Sequence, residues 1–302
     1  MKKFKFLGFA LFAVALTVGF VSCGDDEDSP ISIDAPKNET PVKDILATPI
    51  GELDIVVGGK SMDIKVSDPK SPLARLLLSS DGHVVAFPPA VAKAPSRAYT
   101  PAAILYGIYV LDANGLTISV PGLSSPIIVN LDDLTKIMFG GVSYDANITE
   151  IPATEILTEN ICRTWNDAEY QAVVMFDNLC AYNNKNKDFI ALQNDMLKTL
   201  EKQDVQLDIL QAGIETINIF NNGTVVFKYT NGDSEEGEWK WTDQKNAVME
   251  MTINGNKVIV DVRLKKGTPN EVSFIVSADF TALGNAGVHS FKDSRLIITM
   301  KN

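Results

Sequence analysis

Histidine is nearly missing from this chain: His83 and His289 are the only two, each in or beside an alternating apolar pattern. No cysteine, histidine and aspartate fall at metal-ligand spacing, so no metal site is expected. A G-x-S-x-G elbow is missing too, which removes the usual nucleophile of a serine hydrolase. "VVGGKS" (Val56 to Ser61) ends like a P-loop, but Asp54 stands where that loop needs its first glycine. "DANG" (Asp112 to Gly115) lacks the remaining ligands of a calcium loop, so both stretches read as turns. Glu235, Glu236 and Glu238 offer paired carboxylates for glycoside hydrolysis, yet their alternation with apolar residues reads as a solvated strand edge. Neither an enzyme nor a cofactor is expected.

Positive charge is scarce. Lys2, Lys3 and Lys5 precede Cys23 with no acid among them, so beyond that point the 27 basic residues become 24 against 38 acidic ones, a net charge near −14. Such a surface repels phosphate backbones and excludes a nucleic-acid partner. Long apolar runs are scarce as well. Phe6 to Phe20 is a run of 15 residues, short of the roughly 20 that span a hydrocarbon core. A basic start before a short apolar run is instead the pattern of a secretory signal.

The residues just beyond that run carry the first resemblance. Val21-Ser22-Cys23-Gly24 resembles the bacterial lipobox, with Phe20 where leucine is usual. The resemblance implies cleavage before Cys23 and a diacylglycerol on its thiol. Each buried CH₂ of such a chain contributes about 0.8 kcal/mol to membrane attachment. Asp25, Asp26, Glu27 and Asp28 come directly after and resemble the export signal of Bacteroides-type surface lipoproteins. That likeness implies display on the outer face of the outer membrane. The alternative is a solvated acidic spacer on a periplasm-facing anchor.

Four segments are expected: a signal over 1–22, a tether rich in acids and proline over 23–43, an N-terminal β domain over 44–152 and a second β domain over 153–302. In the first domain, short alternating runs begin with Leu53, Ile55 and Val57 and continue with Met62, Ile64 and Val66. Asn114-Gly115 marks a hairpin, and a short helix fits 132–138. About eight strands are expected there, ending near Ile151-Pro152. The second domain opens with a long strand from about Glu159 to Phe176. Phe189, Leu192, Met196, Leu200 and Leu207 then fall near helical spacing, which predicts a helix over 187–203 capping a barrel. From Gly213 onward, alternating runs are separated by turns at intervals of about 10–12 residues, the pattern of a closed meander.

Cys162 and Cys180 are separated by 17 residues. A bridge between them would close a loop worth about 3 kcal/mol, and two buried thiols are the equal alternative.

"TW" at Thr164-Trp165, then "IETINIFNNGTVVFKYTNGDSEEGEWKW" and "NEVSFIVS", are similar to the lipocalin-like domains of Bacteroides-type lipoproteins. Cys162-Arg163-Thr164-Trp165 departs from that pattern, because the glycine two positions before the tryptophan is absent. The resemblance implies a fold that is mainly β, with a C-terminal barrel of about eight strands and one inserted helix. It names no ligand. Trp165, Trp239 and Trp241 are the candidate ligand contacts, as platforms for a small apolar ligand or a glycan, with barrel core as their other role. The expectation is a non-catalytic surface binding protein held in the membrane through Cys23. A structural or accessory envelope subunit with a filled barrel is its rival, and protein partners stay open.

Overall fold

The computed structural model describes residues 59–89, 103–112, 115–152, 155–176, 179–199, 212–265, 268–277 and 294–302. Cys23, the acidic run after it, the strand expected at Leu53–Val57 and positions 200 and 207 of the helical stripe lie outside these residues.

The chain is mainly β and forms two closed antiparallel barrels of eight strands. The first barrel is built from β1 (Met62–Val66), β2 (Arg75–Leu78), β3 (His83–Phe87), β4 (Leu105–Asp112), β5 (Gly115–Ser119), β6 (Ile127–Val129), β7 (Lys136–Phe139) and β8 (Val142–Glu150). Each strand pairs with the next, and β8 returns to β1 with Ile148 opposite Ile64. Closure removes unpaired edges, which on an open sheet would invite further pairing. Met62, Ile64, Leu76, Leu78, Ile118 and Ile127 point inward and fill the ring at 0–1% exposure. Gly115 sits at φ +128, and an added Cβ would lie 2.1 Å from the Val129 carbonyl oxygen, so the β4–β5 turn admits no side chain there.

The second barrel begins with α1 (Ile156–Ile161). It continues through β9 (Thr164–Phe176), β10 (Leu179–Asn186), α2 (Phe189–Thr199), β11 (Ile214–Ile219), β12 (Thr224–Tyr229), β13 (Ser234–Asp243), β14 (Val248–Ile253), β15 (Asn256–Lys265), β16 (Thr268–Ser277) and β17 (Arg295–Lys301). The long strand β9 closes it. Its start pairs with β11, with Trp165 opposite Ile217, and its opposite edge pairs with β17, with Tyr170 opposite Ile298. The far half of β9 also carries β10 as a flap outside the ring. On β13, Gly237 and Trp239 are buried while Glu236, Glu238 and Lys240 face out, the period-two pattern that sets register. Asn254 and Gly255 both have positive φ, 51° and 80°, as the tight β14–β15 hairpin needs.

Two helices stopper the second barrel at opposite ends. α2 buries Phe189, Leu192, Met196 and Leu197 in the barrel's core cluster, at the end where Gly213 enters β11. α1 adds Ile161 at the other end, beside the β11–β12 turn, where Asn221 Nδ2 donates to Glu159 at 2.7 Å.

The outer walls of the barrels pack together. Leu77 and Val85 of the first meet Phe220 and Val226 of the second, all at 0–1% exposure. Polar contacts ring this patch. Arg75 binds Asp63 through two hydrogen bonds of 2.8 and 2.9 Å and reaches Glu236 at 3.0 Å across the junction. Tyr106 donates to Ser234 at 2.9 Å.

Two local expectations are corrected, and the cysteine pair takes the thiol alternative. Residues 132–138 form no helix; turns lead into β7 there, because Lys136–Phe139 pair with β8 on one side and β6 on the other to complete the barrel. The segment before Trp165 is helical rather than strand, as α1. Cys162 and Cys180 are free thiols. Cys162 belongs to the barrel core, whereas Cys180 packs beside Val173 and Met175 on the flap side of β9.

Burial holds the Cys162 thiol well above its ordinary pKa and raises that of Cys180 as well. In native protein at pH 8, a thiol reagent should therefore modify Cys180 faster than Cys162, and both should react after unfolding without reductant. Protection of both thiols in the unfolded, unreduced protein would reveal a bridge and contradict this arrangement.

Candidate functional site

The barrel interiors are the first place to look for a ligand, and side chains fill them. Trp165 is fully buried and its indole N–H donates to the Ile161 carbonyl at 2.9 Å. Trp239 is 7% exposed, and its N–H donates to the Phe220 carbonyl at 2.8 Å. Trp241 is half-buried and donates to the Thr158 hydroxyl at 3.0 Å, while its ring meets Trp239 edge-on at 5.6 Å. All three indoles thus spend their polar atom on fixing α1 or a turn. None stands as an exposed platform.

A second cluster has the residue types of a catalytic site. Ser79, Asp81 and His83 lie on the β2–β3 turn, and Nδ1 of His83 is 3.2 Å from Asp81 Oδ2. The Ser79 hydroxyl, however, donates to Asp81 and not to the imidazole. The imidazole therefore does not accept the serine proton, as the histidine of a triad must. The carboxylate serves the junction instead. It accepts the Thr164 backbone N–H at 2.8 Å and the Asn302 side-chain amide at 2.9 Å, both from the second barrel. Burial would raise the Asp81 pKa, but hydrogen bonds from His83, Ser79 and Thr164 outweigh it and hold the group below the usual carboxylate range. The bond to Asp81 in turn raises His83 against the effect of burial.

The acidic run of β13 is divided among structural tasks. Glu235 accepts from Tyr229 at 2.9 Å and Asn254 at 2.9 Å, and burial raises its pKa. Glu236 pairs with Arg75, and Glu238 is exposed. Among the described residues, no group of three or more His, Cys, Asp or Glu side chains is placed to hold a metal ion.

A concave surface lies on the outer wall of the second barrel, across β9, β15, β16 and β17 with β10 at one side. It is a cleft of about 450 Å³, within the usual range for small-molecule sites. Ile275 and Ile297, each 6% exposed, form its floor. Charges of both signs rim it: Lys187 pairs with Asp167 at 2.8 Å, and Lys185 lies 3.7 Å from Glu169. Asp167 adopts φ 53, a left-handed conformation uncommon for a residue with a side chain.

Comparison with protein-family models, with curated proteins and with solved structures finds no match for the chain. The fold therefore defines the class: a mainly β protein of two closed barrels packed wall to wall.

The sequence pointed to tryptophans and missed both the Asp81 junction and the outer cleft. Ser79, Asp81 and His83 read as an ordinary turn, because Thr164 and Asn302 come to them from distant positions. The cleft's residues are scattered over five strands, each looking like a solvated strand face by itself.

The two pKa shifts at the junction have opposite pH limits. Asp81, lowered, contributes stability above the ordinary value of 3.8 and loses it as pH falls through its folded value. His83, raised, contributes fully below 6.5 and loses this as pH rises through its folded value. His83→Gln should therefore lower the melting temperature most between those two ordinary values, with the deficit shrinking at alkaline pH. A deficit that grows with rising pH would contradict the assignment.

Proposed function

We propose that this chain is a lipid-anchored, non-catalytic protein of the outer membrane's outer face that works through the outer walls of two filled barrels. The anchor rests on Cys23 within its lipobox-like setting, and surface display rests on Asp25, Asp26, Glu27 and Asp28. The likeness to Bacteroides-type surface lipoproteins with a lipocalin-like domain supports the same placement.

One observation carries the mode of action: the second barrel is stoppered at both ends, by α1 and α2, over a continuous core. A barrel that holds a ligand keeps a roomy interior with a few convergent polar groups. Near one end, the Tyr170 hydroxyl donates to the Ile214 carbonyl at 3.1 Å and the Tyr182 hydroxyl donates to Asp195 at 2.7 Å, so these groups bond to the protein itself. Binding of a small apolar ligand inside the barrel, or of a glycan on the tryptophans, has no opening or exposed indole among the described residues to support it. The role left is that of an accessory or binding subunit whose recognition surface is external.

Native mass spectrometry of a Cys23→Ala variant tests this reading. The variant should be recovered in the soluble fraction and should give the bare protein mass. A co-purifying lipid or apolar mass that leaves on denaturation would overturn the filled-barrel reading, and recovery with membranes would overturn the anchor.

A further inference from the structure

We infer that the outer wall of the first barrel, across β4–β8, docks against a phospholipid surface. This contact deepens the proposed function and rests on its anchor at Cys23.

Strand register builds the wall. Val110 on β4 lies opposite Thr117 on β5, Thr117 opposite Ile128 on β6, Ile128 opposite Met138 on β7, and Met138 opposite Ser143 on β8. Their chain neighbours Tyr109, Leu116, Ile118, Ile127, Val129 and Ile137 belong to the barrel core, so this row of side chains faces outward. No member of the row is charged. Ile108 opens the next row, opposite Ser119. Beside it lies an open groove of about 710 Å³, whose lining includes Pro121, Leu123, Ser124 and Pro126 and no charged residue. On the other side, charges begin one row away, where Lys136 lies opposite Asp145. The same gap is visible along the chain: Ala113 to Leu131 holds no Asp, Glu, Lys or Arg, although 22% of the chain is charged.

Apolar side chains on this wall stay in solvent. Ile108 is 56% exposed, Val110 60% and Met138 49%, with Val142 at 51% beside the β7–β8 turn. Single exposed aliphatic groups are ordinary, but several gathered on one face mark a contact surface.

Two observations assign lipid as the occupant. The first is the route of the chain. Residues 24–58 join Cys23 to Gly59, and Gly59 leads into β1, so the anchored end enters the molecule through the first barrel. In that ring β6 stands opposite β2, and β2 packs on the second barrel through Leu77, so the wall turns away from the second barrel. A tether that holds the barrel at the bilayer raises the local concentration of lipid and lets a modest apolar contact persist. The second observation is charge. The chain beyond Cys23 is strongly acidic, and anionic headgroups repel it. The charge-free wall is the side that can approach them. Its polar side chains are hydroxyls, which offer no ion pair to fix the register of a protein partner. Closure eases the approach further, because each strand is paired on both sides and no unpaired backbone edge meets the apolar layer. Thr117, Ser119 and Ser143 can hydrogen-bond to headgroups while Ile108, Val110 and Met138 reach the acyl boundary.

Tryptophan quenching by brominated phosphatidylcholine, on the full-length lipoprotein reconstituted into vesicles, tests the assignment. Trp165, Trp239 and Trp241 all lie in the second barrel, and the unmodified protein sets their background. Val110→Trp should add emission that is lost in brominated vesicles and retained in unbrominated ones. Emission added by Glu238→Trp, on the second barrel, should be retained in both. Adding Met138→Glu to Val110→Trp should restore the lost emission while the protein still floats with the vesicles. Equal emission of Val110→Trp in both vesicle types, from protein that floats with them, would overturn the docking wall and leave the anchor standing. Protein that fails to float would overturn the anchor and the docking together. A concentration-dependent dimer of the soluble Cys23→Ala chain, abolished by Met138→Glu, would overturn lipid as the occupant and assign the wall to a second copy.

Discussion

One buried carboxylate ties the molecule together. Asp81 sits on a turn of the first barrel, yet two of its hydrogen bonds come from the second, through the Thr164 amide at the start of β9 and through Asn302 after β17. Those two strand ends are where the second barrel closes on itself. The same contact therefore joins the barrels and fixes the closing seam of one of them. Asn302 also donates to the Thr164 carbonyl at 2.8 Å, so the seam is crossed twice at one point. A buried charge is costly unless it is paired and hydrogen-bonded. Asp81 has Ser79 and His83 as partners within the first barrel, and the second barrel adds the Thr164 and Asn302 bonds that bury it at the junction.

Around this point the junction is layered as protein interiors are. Leu77, Val85, Phe220 and Val226 supply a dry centre, and the Arg75–Asp63–Glu236 chain and the Tyr106–Ser234 bond enclose it. Buried apolar side chains line both barrel interiors. The cleft across β9 and β15–β17 is a concave part of the second barrel's wall.

Much of the architecture was legible in the chain, for a local reason. Period-two alternation and glycine-bearing turns are written within ten or so residues, so β11 to β17 and the meander of the first barrel could be read directly. The helix α2 showed through the spacing of Phe189, Leu192 and Met196. The features that stayed hidden depend on closure or on competition between weak local preferences. Nothing local says that β8 returns to β1. At 132–138, pairing of Lys136–Phe139 with β6 and β8 overrides the short helix that fitted the sequence. The short helix α1 is held by its partners: Ile161 packs in the core, and the Trp165 and Trp241 indoles bond to it. The three tryptophans, candidate ligand contacts by sequence, give their indole N–H groups to Ile161, Phe220 and Thr158. The cleft could not be foreseen because its lining residues come together only once β15, β16, β17 and β9 are in register.

The two filled barrels, joined through Asp81, should behave as one cooperative unit, and differential scanning calorimetry of the mature chain can decide it. A single transition is expected, with equal calorimetric and van't Hoff enthalpies, and it should split into two in Asp81→Ala. Two separate transitions in the unmodified protein would contradict the coupling of the barrels.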